Sequence, residues 1–194
     1  MQSTVAIYNT ALARLGGHQL ERVNSPDDDG TVPTLCRTLF PHVVDAALAT
    51  FPWSFATRRA SLAQKPDDGL DRPGYPLRYA LPADCLYPLR LEGEIADHFP
   101  PSYILEGADL LTNVATPVLV YVARLRDPAY FAPLFADAVA WALAAELSTA
   151  LVNAVRRQQL CMQKYELALH DARTVDARSQ HPLKHPGPWI EARN

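Results

Sequence analysis

The chain has 194 residues, of which 48% are hydrophobic and 20% charged, values typical of a soluble globular protein with one domain or a domain and an insertion. Its formal net charge of -3 argues against a dedicated nucleic-acid-binding surface, which normally carries an excess of basic residues. Proline is over-represented, with 17 residues, and this predicts rigid loops and strand ends.

The start of the chain lacks the basic and apolar regions of a signal peptide. The longest apolar stretch, Ala136 to Leu147, is interrupted by Asp137 and Glu146 and is too short to span a bilayer. We therefore expect no membrane partner, and a protein that stays in the cytoplasm unless an assembly carries it out.

The three cysteines, Cys36, Cys85 and Cys161, are far apart and odd in number. No C-x-x-C spacing occurs, so the sequence suggests neither a disulfide framework nor a zinc site. Three buried, reduced thiols are the expected state.

Two helices are predicted before residue 51. The first follows a cap at Ser3 or Thr4, is stopped by Gly16-Gly17 and has apolar residues at Val5, Tyr8, Leu12 and Leu15. The loop Asn24 to Gly30 resembles part of a calcium loop, but it lacks the alternating ligands and the closing glutamate, so we interpret it as a solvated turn.

The second helix is expected from Thr34 to about Thr50, with a kink or short break at the interior Pro41 and an end before Pro52. Large aromatic residues follow it. Trp53 and Phe55, together with Trp141, are predicted to pack in the core and to link the end of this helix to an alanine-rich helix later in the chain.

A small antiparallel sheet is predicted between about Lys65 and Arg126, because turn residues there alternate with short apolar runs. Glu106-Gly107 suggests a tight hairpin within it. The expected strands are Leu77 to Leu81, Leu86 to Leu91, Tyr103 to Glu106, Asp109 to Thr112 and Val118 to Ala123.

Helices are expected to resume at Asp127-Pro128, a cap followed by proline at the first helical position. A further helix is predicted from about Asn153 to Asp176. Its apolar side is expected to carry Leu160, Tyr165, Ala168, Leu169 and Ala172. Arg156 and Arg157 lie near its beginning, the unfavourable end for cations, which suggests that they pair with something outside this helix.

The proline-rich segment 179–194 is expected to be an extended tail. Its Leu183, Trp189, Ile190 and Arg193 are candidates for docking, since a loose terminus seldom exposes a tryptophan. It could dock on its own domain or on a partner. The predicted fold is thus mainly α: an antiparallel helical bundle (1–64 and 127–178) with an inserted small antiparallel β-region (65–126) and an extended C-terminal tail (179–194).

No catalytic constellation is recognisable. The sequence has no G-x-S-x-G, H-E-x-x-H or Gly-rich phosphate loop, and its 8 glycines leave little for cofactor loops. His181 and His185 are separated by prolines that prevent helical ligand spacing, and Glu92, Glu94 and Asp97 lie in a polar stretch typical of a solvated loop. We predict no enzyme activity, cofactor or metal.

Several motifs, in this order, resemble the head-to-tail adaptor family of short-tailed bacteriophages, also called tail tubular protein A. The resemblance covers about Thr4 to Ala172. Its motifs are Ala13-Arg14-Leu15-Gly16, Phe51-Pro52-Trp53-Ser54-Phe55-Ala56 with Arg58-Arg59, Tyr79-Ala80-Leu81-Pro82-Ala83-Asp84-Cys85-Leu86, and Phe131 with Phe135-Ala136-Asp137-Ala138-Val139-Ala140 and Leu143-Ala144-Ala145.

The resemblance implies a helical bundle with an inserted β-region. It also implies a virion protein of the head–tail junction, assembled in the host cytoplasm. Copies would form a ring, typically a dodecamer, below the portal protein and above the tail nozzle protein, with tail fibres as a further candidate partner. Genomic DNA would pass through the lumen without sequence-specific binding.

Two pairs of arginines are candidates for contacts between ring neighbours: Arg58 with Arg59, and Arg156 with Arg157. Solvated surface charge is the alternative interpretation of both pairs. Two other functions also remain open. One is a cell-wall hydrolase of the phage particle, which would need a carboxylate pair in a cleft. The other is a small cytosolic binding module.

Overall fold

The structure is a computed structural model that describes residues 2–16, 22–92, 102–152 and 154–180. These residues form two compact units. Of the described residues, the helical unit comprises 2–16, 22–47, 53–55, 126–152 and 154–180, and the sheet unit comprises 48–52, 56–92 and 102–125.

The described part of the helical unit is built on helices α1 (Thr4–Arg14), α2 (Thr31–Leu48), α3 (Pro133–Leu147) and α4 (Val155–Gln180). A 3-10 turn at Pro128–Tyr130 precedes α3, and a π-helical turn at Ser148–Val152 follows it. Asp127 caps the 3-10 turn by accepting a hydrogen bond from the Ala129 amide at 2.9 Å.

Helix α1 begins and ends at the residues that the sequence indicated. The Ser3 hydroxyl accepts a hydrogen bond from the Ala6 amide at 3.1 Å, and Gly16 takes a φ of 95°, a left-handed value that favours glycine. Helix α2 begins at Thr31 rather than Thr34 and continues through Pro41 without a break.

Helix α3 forms the centre of the helical unit and packs against α1 and α4. It is apolar on nearly all sides, as expected for a helix that neighbours cover all round. The segment Pro133–Val152 is long and apolar enough to cross a membrane by length and composition, but 61% of that window is buried inside the protein. Packing within this unit therefore accounts for its apolar character.

The described residues of the sheet unit form two antiparallel sheets. One has the strand order β1-β7-β4 and the other β2-β3-β6-β5. The strands are β1 (Thr57–Ser61), β2 (Ala63–Gln64), β3 (Leu77–Ala80), β4 (Cys85–Leu91), β5 (Tyr103–Glu106), β6 (Asp109–Thr112) and β7 (Val118–Ala123). Because β1 and β2 are nearly continuous, the chain passes from one sheet to the other at Leu62.

The prediction of a mainly α helical bundle with one small β-insertion is wrong, as is the bundle that the resemblance implied. The protein has a mixed α/β fold, with 49% of the described residues in helices and about 20% in strands of two antiparallel sheets. The error arose at β1 and β2, which contain few apolar residues and precede the predicted sheet. Helix α4 also continues to Gln180, two residues into the segment expected to be extended.

Candidate interaction surfaces

Arg58 and Arg59 lie on β1, an edge strand of the three-stranded sheet. Each pairs with a carboxylate of its own chain: Arg58 Nη1 lies 2.8 Å from Asp84 Oδ2, and Arg59 Nε lies 3.2 Å from Glu92 Oε1. Both arginines are exposed, so these pairs contribute at most about 1 kcal/mol each to folding. Contacts of these arginines with a second subunit remain a prediction.

Asp84 links this edge to the centre of the sheet. Its other carboxylate oxygen accepts a hydrogen bond from the Tyr121 hydroxyl at 3.0 Å. Burial, and after it the hydrogen bond to Asp84, raises the pKa of Tyr121 to about 12. Asp84 thus connects the exposed Arg58 on the edge strand to the buried Tyr121 on the central strand.

A network of ion pairs holds the loop before β3 against the four-stranded sheet. Arg72 contacts Asp68 through two nitrogens, at 2.8 and 2.9 Å, and Glu106 through Nε at 3.0 Å. The hydrogen bonds from Arg72, and after them the one from the Leu70 amide, hold the pKa of Asp68 well below its usual range. Arg78 and Asp109 extend the network within the same unit.

Arg157 contacts the end of another helix of its own chain. Its Nη1 donates a hydrogen bond to the Leu15 carbonyl, and its guanidinium lies over Gly16. A cation is favourable there because the last carbonyls of α1 have no partner within that helix. The prediction that Arg157 pairs outside its own helix is therefore confirmed, although its partner is in the same chain.

Arg156 and Arg157 are both exposed. The members of this predicted pair differ in their contacts rather than in their exposure: Arg157 links α1 to α4 through the Leu15 carbonyl, and Arg156 is a surface residue of α4. A contact of either residue with a second subunit remains a prediction.

The outward face of α4 carries apolar residues that sequence reasoning placed incorrectly. Leu160 was predicted to be on the buried side, but it is 52% exposed, and Leu167, one heptad later, is 62% exposed. The buried side carries Cys161, Leu169, Ala172 and Asp176. At 3.6 residues per turn, positions 160 and 167 lie on the same face, opposite that side. The seven-residue spacing could have shown that the two leucines share a face, but not that this face is exposed.

Asp176 is a buried carboxylate near the end of α4, and donors surround it. It accepts hydrogen bonds from the Ser54 amide at 2.9 Å, the Ser54 hydroxyl at 2.6 Å and Gln180 Nε2 at 2.7 Å. A buried charge is tolerated only when it is satisfied in this way. Asp176 thus fixes the residues after α2 to the last turn of α4. No sequence motif indicated this contact.

The predicted aromatic core is confirmed for Trp53, which is fully buried, and Trp53 reaches α3 through Phe135, with ring centroids 5.0 Å apart. Phe55 is half-buried and joins the same cluster, 5.0 Å from Phe135. Trp141 is likewise half-buried, and the Arg14 guanidinium lies 3.9 Å above its ring. This cation–π contact stabilises the part of the ring that the core does not cover.

The expectation of three buried thiols holds for Cys36 and Cys161, whereas Cys85 is half-buried. All of them are free, and burial raises the pKa values of Cys36 and Cys85 to about 11. These thiols are therefore protonated, and unreactive as nucleophiles, at neutral pH.

The remaining candidates fall partly outside the described residues. The tail residues Leu183, Trp189, Ile190 and Arg193, the histidines His181 and His185, and the carboxylates Glu94 and Asp97 all lie there. Within residues 2–16, 22–92, 102–152 and 154–180, no group of three or more His, Cys, Asp or Glu side chains is placed to hold a metal ion.

Comparison with known proteins found no family model and no curated protein that matches this chain.

Proposed function

We propose that this protein is a structural virion protein, a ring-forming head-to-tail adaptor that joins a phage portal to the tail nozzle and extends the DNA channel. The observation that carries the proposal is the set of ordered motifs from Ala13 to Ala145, which resembles the adaptor family over most of the chain. The net charge of -3 suits a channel wall that lets DNA slide past, since each neutralised phosphate would strengthen binding.

A ring subunit needs two unlike surfaces that meet heterologously and close by rotation. In the helical unit, the outward face of α4 with Leu160 and Leu167 fits one such surface, because apolar area of this kind favours a protein partner. In the sheet unit, the exposed β1 edge with Arg58 and Arg59 fits another. We propose a second copy of this chain as the partner of both.

The proposed adaptor has further partners. The portal protein would bind on one side of the ring and the nozzle protein on the other, with the tail segment 181–194 as the candidate contact to the portal.

The assembly claim is tested with variants that spare the fold. Changing Leu160→Lys together with Leu167→Lys places two charges on the outward face of α4. Because both side chains are more than half exposed, thermal stability is expected to stay close to the parent value while oligomers are lost. Mass photometry, alone and with the portal protein of the same phage, measures the loss.

The matched control is Met162→Lys, on the same helix and 40% exposed but on a different side from positions 160 and 167. It is expected to assemble like the parent chain. If the double variant also assembled like the parent, α4 would not be the interface.

A second pair of variants tests the β1 edge in the same assay. Arg58→Ala with Arg59→Ala removes two exposed ion pairs and is expected to leave the unfolding midpoint nearly unchanged. Loss of oligomers without loss of stability would support an interface there. Unchanged assembly would leave these arginines as solvated charges that protect an edge strand.

A further inference from the structure

A pocket lies beside the last two turns of α4, within the helical unit. It has a volume of about 200 Å³. Its walls are mostly apolar and are formed by Ser54, Phe55, Ala132, Pro133, Leu134, Ala172, Val175, Asp176 and Ser179. Two of these residues are large apolar side chains at the surface: Leu134 is 41% exposed and Val175 is 52% exposed.

The polar groups in this pocket are already satisfied within the protein. The Asp176 carboxylate accepts its hydrogen bonds from Ser54 and Gln180, and the Ser179 hydroxyl donates to the Asp176 carbonyl at 2.7 Å. A small polar ligand would therefore find few groups to bind. An apolar or aromatic side chain gains from the exposed Leu134 and Val175 surfaces instead.

The end of the chain is within reach of this pocket. Helix α4 runs past it from Ala172 to Ser179 and ends at Gln180, and the segment 181–194 follows in the sequence. Trp189 follows Gln180 by nine residues. At roughly 3.3 Å per extended residue it can lie up to about 30 Å from the helix end, whereas the stretch of α4 along the pocket is about 10 Å long.

The segment also has suitable chemistry. It contains the adjacent pair Trp189-Ile190 and the prolines Pro182, Pro186 and Pro188. Tryptophan is enriched among the residues that contribute most to binding energy at interfaces, and its large apolar ring suits an apolar pocket. The prolines restrict the free segment, so docking costs less conformational entropy than it would for a flexible peptide.

We propose that this pocket is the docking site for the C-terminal segment of the same chain, with Trp189 as the anchor. The inference goes beyond the proposed function, because it concerns the isolated chain. If the chain is also an adaptor, docking on the portal has to compete with this contact. In that case the segment stays bound to its own subunit until the portal is present.

The test uses the full-length chain labelled with 5-fluorotryptophan, which gives one fluorine signal for each of the 3 tryptophans. Trp189→Phe identifies the Trp189 signal. A soluble nitroxide is expected to broaden this signal several-fold less than the signal of a free peptide of residues 181–194. Val175→Lys is expected to raise the broadening to the peptide's value. Met162→Lys, on the same helix but outside both the pocket and the proposed α4 interface, is expected to leave it unchanged.

Three results would overturn the proposal. A Trp189 signal as exposed as in the free peptide would mean that the segment does not dock on its own chain. If the Trp189 signal were still protected from nitroxide broadening in the Val175→Lys variant, Trp189 would bind somewhere other than this pocket. Protection that appears only at concentrations where the chain oligomerises would assign the pocket to a neighbour's segment. None of these results depends on whether a ring with portal forms, so the two proposals fail separately.

Discussion

Arg156 and Arg157 are adjacent in sequence but have different surroundings. Arg157 binds the Leu15 carbonyl at the end of α1, and Arg156 is exposed on α4. The sequence could indicate that cations at a helix N-terminus need outside partners, because that rule depends only on position along the helix. It could not indicate which partner, because residues 15 and 157 meet only after the chain has folded.

Arg157→Ala is expected to lower the free energy of unfolding by about 2 kcal/mol, because it removes a charged hydrogen bond to a helix-end carbonyl. Arg156→Ala is the matched control and should change it by less than about 0.5 kcal/mol. Urea unfolding followed by circular dichroism measures both. Equal effects of the two variants would contradict the assigned contact.

Tyr121 is expected to make the protein sensitive to alkali. Its folded pKa of about 12 lies above the ordinary value of 10.0, so the fold favours the protonated phenol. This contribution to stability is fully present below pH 10 and is lost as the pH rises to 12. The unfolding midpoint in urea should fall over that window.

The unfolding midpoint of the Tyr121→Phe variant in urea should fall less steeply over the same pH window, because phenylalanine cannot ionise. Tyr8 has the same raised pKa of about 12, caused chiefly by burial, and burial raises the pKa values of Cys36 and Cys85 to about 11. Part of the slope should therefore remain in Tyr121→Phe, and less of it once Tyr8→Phe is added. An unchanged slope in the double variant would show that other groups cause the alkaline loss.

At the scale of elements, the apolar pattern of α3 predicts a helix but does not show which neighbours bury it. Its alanine-rich run predicted a helix, and its all-round burial follows from packing against α1 and α4. Phe135 on this helix contacts Trp53, Phe55 and Phe131, with ring centroids 5.0 to 5.1 Å away. The aromatic cluster is thus centred on Phe135.

Phe135→Ala is expected to cost about 3–5 kcal/mol, because it leaves a cavity at the centre of that cluster. The neighbouring Leu134→Ala should cost under about 1 kcal/mol, since Leu134 is partly exposed. Thermal unfolding of the two variants compares them directly. A similar cost for both would mean that the aromatic cluster does not stabilise the helical unit.

The strands divide into those that the sequence indicated and those that it did not. Strands β5, β6 and β7 were predicted with their observed bounds because apolar runs and turn residues delimit them. Strand β1, Thr-Arg-Arg-Ala-Ser, lacks that pattern because an edge strand exposes much of its length. Strand β1 forms because it pairs with β7, in a register that sets Arg58 opposite Tyr121 and Arg59 opposite Val120.

At the scale of the whole molecule, the missed strands changed the fold class from a helical bundle to a mixed α/β protein. The interaction surfaces were less predictable still. Arg58 and Arg59 were singled out from sequence, but their pairing with Asp84 and Glu92 depends on how the sheet is assembled. The exposure of Leu160 depends on which face of α4 meets α3, and a single helix pattern does not decide that.

The adaptor proposal makes one claim about the whole molecule, that copies close into a ring. Electron microscopy of the purified chain, alone and mixed with the portal protein of the same phage, tests this claim most directly. The account predicts closed rings of one size, a dodecamer by the resemblance, either alone or on the portal. Images that show neither a ring nor a complex with portal would contradict it.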